Sequence, residues 1–215
     1  MMATSTDSQE TAAEGHHGQQ MNDQPIETHP FEPFLPADAR LLMLGTFPPS
    51  PKRWCMDFYY PNFQNDMWRI FGWIYFQDKH HFEVAGEKRF NLEAIKTFLI
   101  AHHIAIFDTA LRIRRTKGTA SDKDLEIVEQ ADLDGMLHSL PECRGVLTAG
   151  MLATDVFTRH YGIDKKRLKM GGYEPFTFEG RPLRLYRMPS SSRAYPMRIE
   201  KKAEYYKTMF ADLNI

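Results

Sequence analysis

Apolar residues along this chain fall into two rhythms. Arg40–Leu44, Ile104–Phe107 and Gly145–Thr148 are short, nearly unbroken apolar runs, the pattern of strands buried on both faces. Gly45 and the prolines behind it, Asp108-Thr109 and Gly150 bound these runs. In the second rhythm, apolar residues recur every three or four positions. Asp66 to about Tyr75 predicts a helix. Asn91–His102 predicts another, with Leu92, Ile95, Phe98 and Leu99 inward and Asn91 as N-cap. Asp132–Leu140 reads as a short helix, and Met151–His160 as a longer one with Leu152, Val156 and Phe157 on one face. A last helix runs from about Met197 to Leu213. Its stripe is Ile199, Ala203, Tyr206, Phe210 and Leu213, with Lys201, Lys202 and Lys207 off it. Phe176–Phe178 and Leu183–Met188 flank Glu179-Gly180 as a hairpin or two strands, and Arg112–Ser121 reads as a basic loop.

Strands alternating with helices predict a parallel sheet covered on both faces, so the expected fold is a three-layer α/β/α sandwich with a central, mainly parallel sheet. Ligands of such sheets bind outside the carboxyl ends of the strands. Four post-strand loops then share one rim: Gly45–Pro49, Asp108-Thr109, Ala149-Gly150 and Pro189–Arg193. Beside the first of them, Trp54, Phe58, Tyr59, Tyr60, Phe63 and Trp68 crowd into fifteen positions. Such a cluster suits the walls of a pocket for a flat ligand.

Residues 1–32 follow neither rhythm. They are polar with little to bury, and predict a disordered tail ahead of one domain over 33–215. The His16-His17 pair in that tail reads as solvated rather than metal-binding. All six acids of the segment (Asp7, Glu10, Glu14, Asp23, Glu27, Glu32) lack a basic neighbour there. The formal charge of −1 therefore hides a mildly basic remainder, with 27 basic residues against 22 acidic ones, a net of +5. That balance is compatible with a polyanion partner. No apolar run reaches the length of a membrane span and no secretory pattern opens the chain, so a cytoplasmic protein is expected. The two cysteines, Cys55 and Cys143, cannot build a four-thiolate iron–sulfur or zinc site. His80-His81 and His102-His103 lack acidic or Cys partners at metal spacing, and no metal site is expected.

The loop Met188-Pro-Ser-Ser-Ser-Arg-Ala-Tyr-Pro concentrates hydroxyls and backbone N–H groups, which suit phosphate oxygens and equally the N-cap of the last helix. Together with Gly45-Thr-Phe-Pro-Pro, it resembles the two signature motifs of the uracil-DNA glycosylase superfamily. The hypoxanthine-DNA glycosylase branch is especially similar. Its Gly-Ser-(Phe/Met)-Pro start, Tyr-Tyr pair, Asn two residues ahead of Phe-Trp, and Leu-Pro-Ser-Thr-Ser loop match Gly45–Pro48, Tyr59-Tyr60, Asn65 with Met67-Trp68, and Met188–Ser192. His103–Leu111 and Thr148–Phe157 resemble two further segments of that branch. The matches run in order over nearly all of residues 38–210.

The resemblance implies a monofunctional DNA-base glycosylase of base-excision repair. It would flip a deaminated base, hypoxanthine or uracil, and hydrolyse its N-glycosidic bond, as a monomer without cofactor. DNA containing a damaged base is the implied partner. Base-binding residues would be Gly45, Phe47, Pro48, Tyr60 as stacking wall, and Asp108 as edge reader. DNA-binding residues would be Pro189, Ser190, Ser191, Ser192 and Arg193, joined by Arg114, Arg115 and Lys117. Phe47 stands where many relatives hold a water-positioning Asp or Asn, so the catalytic role passes to Asn65. Asn65 also reads as a helix N-cap. Two other readings stay open: a nucleic-acid-binding relative without catalysis, which Phe47 favours, and an enzyme of free nucleobases or nucleosides.

Overall fold

The computed structural model describes residues 24–117 and 121–215; the His16-His17 pair lies outside them. In chain order the strands are β1 (Ile26–Thr28), β2 (Leu41–Gly45), β3 (Ile104–Asp108), β4 (Ala110–Arg115), β5 (Leu125–Gln130), β6 (Gly145–Ala149), β7 (Tyr173–Phe178) and β8 (Arg181–Met188). The helices are α1 (Met67–Phe76), α2 (Leu92–Ala101), α3 (Leu133–His138), α4 (Met151–His160) and α5 (Ile199–Leu213). The central sheet has the order β3-β2-β6-β8-β7, parallel except for β7, which returns antiparallel from the Glu179-Gly180 hairpin.

Every residue of β2 and β3 is buried. Side chains alternate between the two faces of a strand, so both faces are covered. One covering layer is α1, α2 and α5, which meet at Phe71: its ring lies 5.7 Å from Phe98, 6.3 Å from Tyr206 and 5.3 Å from Phe210. The other is α3 and α4. They are tied by Asp134, which accepts from Tyr161 Oη (2.8 Å) and pairs with His160 (3.0 Å). This is the expected three-layer sandwich. Leu41, Leu42, Met43 and Leu44 are wholly buried in its centre, each side chain contributing about 1.5–3 kcal/mol of transfer free energy.

The path through the sheet fixes where a ligand fits. From β2 the chain crosses outward to β3; from β6 it crosses the other way to β8. The crevice between the carboxyl ends of β2 and β6 is therefore a topological switch point, the usual ligand position in open α/β sheets.

Three expectations need correction. The basic loop Arg112–Ser121 is in its first part a strand, β4, in a second sheet of order β1-β4-β5. Arginines at alternate positions look like a solvated loop, but here they meet acids across the ladder: Arg114 pairs with Glu126 (3.0 Å) and Arg112 with Glu129 (3.4 Å). Residues 118–120 lie outside the described residues. Second, the tail boundary at residue 32 falls too late. Residues 24–32 are built into the fold: β1 pairs with β4, Glu27 holds Arg115, and the Glu32 carbonyl accepts from Tyr59 Oη (2.8 Å). Third, Lys202 does not lie off the apolar stripe in solvent but is fully buried, because Asp66 and a backbone carbonyl wait for it inside.

Candidate active site

The four post-strand loops converge at the switch point around a cavity of about 170 Å³. Of the residues expected there, Gly45, Phe47, Pro48, Tyr60, Asn65, Asp108, Ser190, Ser191, Ser192 and Arg115 line it. Pro189 is buried behind the rim, its carbonyl accepting from Tyr206 Oη (3.1 Å). Arg193, Arg114 and Lys117 stand outside the cavity wall. Thr46, Asn62, Asp122 and Leu125 also line it. Thr46 belongs to the expected rim loop Gly45–Pro49, whereas Asn62, Asp122 and Leu125 were missed, Asp122 because Ser121-Asp-Lys-Asp has the composition of an ordinary solvated turn.

The loop after β2 is pinned at successive carbonyls. Gly45 O accepts from Thr109 N (2.9 Å), Pro48 O from Arg115 Nη2 (3.1 Å) and Pro49 O from Trp54 Nε1 (2.7 Å). Arg115 itself is gripped by Glu27 through two bonds of 2.9 and 3.0 Å. Its guanidinium is thus committed to shaping the loop rather than held out toward solvent. Phe47 packs between this guanidinium (5.9 Å) and the His29 ring (5.2 Å). Gly45 is required by close approach: a Cβ there would collide with Asp108 Oδ1 and lie 3.6 Å from the Tyr60 hydroxyl.

Tyr60, expected as a stacking wall, lines the cavity. Its ring stands edge-on to Trp68 (81°), and its hydroxyl is buried with no hydrogen-bond partner among the described residues. Burial, with the nearby Tyr206 and Asp108, pushes the phenol well above its ordinary value, so it stays a neutral O–H donor. Its backbone is left-handed (φ 50°), although it carries a large side chain. Among the other non-glycine residues of positive φ, Gln77 and Asn214 are helix C-caps and Glu179 sits in a hairpin turn. Tyr60 is the one that faces the cavity.

Asp108 closes the β3 end of the cavity. His29 Nε2 donates to its Oδ2 (2.9 Å), and both side chains are nearly fully buried. His29 had no signal in the sequence, because it lies in the polar segment before the first apolar run. Opposite stands Asp122, whose Oδ2 accepts from Thr46 Oγ1 (3.2 Å). Gly150 adopts φ 120°, and a Cβ on it would come within 3.1 Å of the same oxygen. Burial pushes the Asp122 carboxyl above its ordinary value; the Asp108 charge adds to that and the Thr46 hydroxyl opposes it.

Asn65 and the serine loop form one unit. The two segments join in a β-bridge between Asn65 and Ser192, and Asp66 N donates to Ser191 O (2.9 Å). The N-cap of α1 is Asp66 rather than the expected Asn65, which lies one residue earlier; Asn65 Oδ1 still accepts from Met67 N (2.9 Å), so the side-chain NH2 is what remains for a ligand. Arg69 Nη1 donates to the Asn65 carbonyl (3.0 Å). Beneath, buried Lys202 donates to Ser192 O (2.8 Å) and Asp66 Oδ2 (3.4 Å), while Arg193 Nε donates to Asp66 Oδ1 (3.0 Å). Asp66 thus clamps α1, α5 and the serine loop together. Burial pulls the Lys202 ammonium below its ordinary value, and Asp66 holds it up.

The cysteines stand apart from the cavity; burial pushes Cys55 up and Cys143 up to about 11. His80 pairs with Glu83 and His103 with Asp38, His81 stacks on Phe76, and His102 packs against Tyr75 and Phe98. Among the described residues, no group of three His, Cys, Asp or Glu converges as metal ligands, and no helix is long and apolar enough to cross a membrane.

No family model matches the chain, and no curated protein matches it. Among solved structures it is similar to a solution NMR structure from Methanosarcina acetivorans described as a "putative Uracil DNA glycosylase". The TM-score is 0.60 at 20% identity, over 89% of this chain and 100% of that one. At that identity the likeness establishes a common α/β fold.

Proposed function

We propose that this chain is a monofunctional DNA-base glycosylase that extrudes a deaminated base, hypoxanthine or uracil, into the switch-point cavity and hydrolyses its N-glycosidic bond. The observation that carries the reading is that Asp108 Oδ1 and the unpartnered Tyr60 hydroxyl both lie beside Gly45, on residues that line the one cavity. One accepts and the other donates, which complements an N–H beside a C=O, the lactam edge common to both bases. A buried hydroxyl without a partner costs about 1–3 kcal/mol, and a base carbonyl would satisfy it. The cavity is smaller than the roughly 300–1,000 Å³ of pockets for drug-sized ligands, which suits a base rather than a whole nucleotide.

Bond cleavage places negative charge on the base and cationic character on the sugar. The Asn65 NH2 can stabilise the first. The hydroxyls and N–H groups of Ser190–Ser192 suit the phosphates beside the flipped nucleotide. The lining residues include no lysine, which accords with hydrolysis rather than Schiff-base chemistry. The name of the structural neighbour supports the same class. The test is a panel of duplexes, each with one damaged base, incubated with the protein and assayed for alkali-labile abasic sites. Cleavage confined to hypoxanthine or uracil duplexes is expected. A second reading, a relative that binds nucleic acid without catalysis, draws on Phe47 and on the commitment of Asn65 Oδ1 to Met67 N. Normal duplex binding without abasic sites would favour it.

A further inference from the structure

Hydrolysis needs an acceptor for a proton of the attacking water, and the residues expected to supply one do not. Phe47 has no polar atom. Asn65 presents its NH2, since its oxygen is taken by Met67 N. One oxygen of Asp108 is held by His29, and the other faces Gly45 and the base-reading side. Asp122 is the remaining carboxyl on the cavity wall. It hangs over the loop after β2 from Thr46 Oγ1, directly across from Gly150. Its Oδ1 has no hydrogen bond among the described residues.

We propose that Asp122 is the catalytic carboxylate of this site, holding the attacking water and taking its proton. The proposal rests on the glycosylase reading. The water oxygen bonds to C1′ of the sugar as the N-glycosidic bond breaks. The electron pair of that bond leaves on the base, the water proton goes to Asp122, and that proton then passes to the departing base. The products are the abasic sugar and the neutral base, and the carboxylate is restored. Burial that raises the basicity of Asp122 fits this work, because a base poised closer to neutrality accepts a proton more readily.

The experiment uses the full chain and the duplex that wild type cleaves best. Single-turnover release by Asp122→Asn is expected to fall about 100-fold or more, the range of general-base catalysis. Affinity for the same duplex carrying a 2′-fluorinated, uncleavable target nucleotide should stay within about 3-fold, a change worth less than one hydrogen bond. Added formate should restore part of the rate to Asp122→Ala, which a residue needed only for folding would not allow. Wild-type rates in Asp122→Asn would overturn the role, as would a loss of binding that accounts for the whole loss of rate. Absence of base release by wild type in every duplex would instead overturn the glycosylase reading, and the Asp122 role would fall with it.

Discussion

Tyr60 and Asp122 each hold a group in an unfavourable state, and both do so on the wall of one cavity. A left-handed backbone under a large side chain costs on the order of 1 kcal/mol, and an unpartnered buried hydroxyl adds to it. Tyr60→Phe keeps the ring and drops the hydroxyl. It should raise unfolding free energy by about 1 kcal/mol and slow base release by about 3–10-fold, readable by chemical denaturation and single-turnover assay. A variant both less stable and fully active would contradict the assigned donor role. For Asp122 the sign follows from linkage. Its folded carboxyl is raised, so above that value the fold carries a charge it penalises, while below the ordinary carboxyl value of about 3.9 both states are protonated. Asp122→Asn should therefore stabilise the protein near pH 7, and the gain should shrink as pH falls and vanish below about pH 4. Asp108 and Tyr60 face the group, and Arg115 lines the same cavity. Unfolding midpoints measured from pH 4 to 8 check this, and an equal difference at every pH would refute it.

At the scale of elements, legibility tracked burial. β2, β3 and β6 are readable because strands covered on both faces must be apolar throughout, and α2 because Asn91 caps it by accepting from Ala94 N (3.1 Å). The sheet β1-β4-β5 is not readable, because its charged positions are satisfied by partners far along the chain: Arg115 meets Glu27 and Arg114 meets Glu126. The same cause hides Lys202, whose spacing says surface and whose partner Asp66 sits 136 positions away. In the site, the motif loops were legible as sequence, whereas His29 and Asp122 acquire their places only through tertiary pairing. A chain begun at Pro33, the boundary that composition suggests, tests the role of β1. It would lack His29 and Glu27, leaving Asp108 and Arg115 without their partners. Removing one member of a buried pair costs about 3–5 kcal/mol, so a drop in unfolding midpoint of more than 5 °C is expected, together with loss of base release. A truncated chain as stable as the full one would mean that β1 only rests on the sheet.

At the scale of the whole molecule, the question is which cations remain for a polyanion. Most arginines around the cavity are used inside the fold: Arg69 on Glu83, Arg114 on Glu126 and Arg115 on Glu27. Lys52 and Arg53, on the turn just after the pinned loop, are exposed and carry no ion pair among the described residues. Lys117 is mostly exposed at 3.9 Å from Asp124, and half of the Arg193 side chain reaches solvent. Four such groups, each within a few residues of a cavity-lining residue in the chain, would neutralise about 3–4 phosphates. The slope of log affinity against log salt should then be about −3, since each neutralised phosphate of B-DNA contributes about −0.9. Replacing Lys52 and Arg53 together by Ala should flatten that slope by nearly 2 and leave the unfolding midpoint within about a degree, as exposed substitutions away from structural contacts do. A free nucleobase or nucleoside carries no phosphate chain and would give a slope near zero. Fluorescence anisotropy with a short duplex over 50–300 mM salt therefore separates a DNA substrate from a small one, and does so whether or not the protein cleaves.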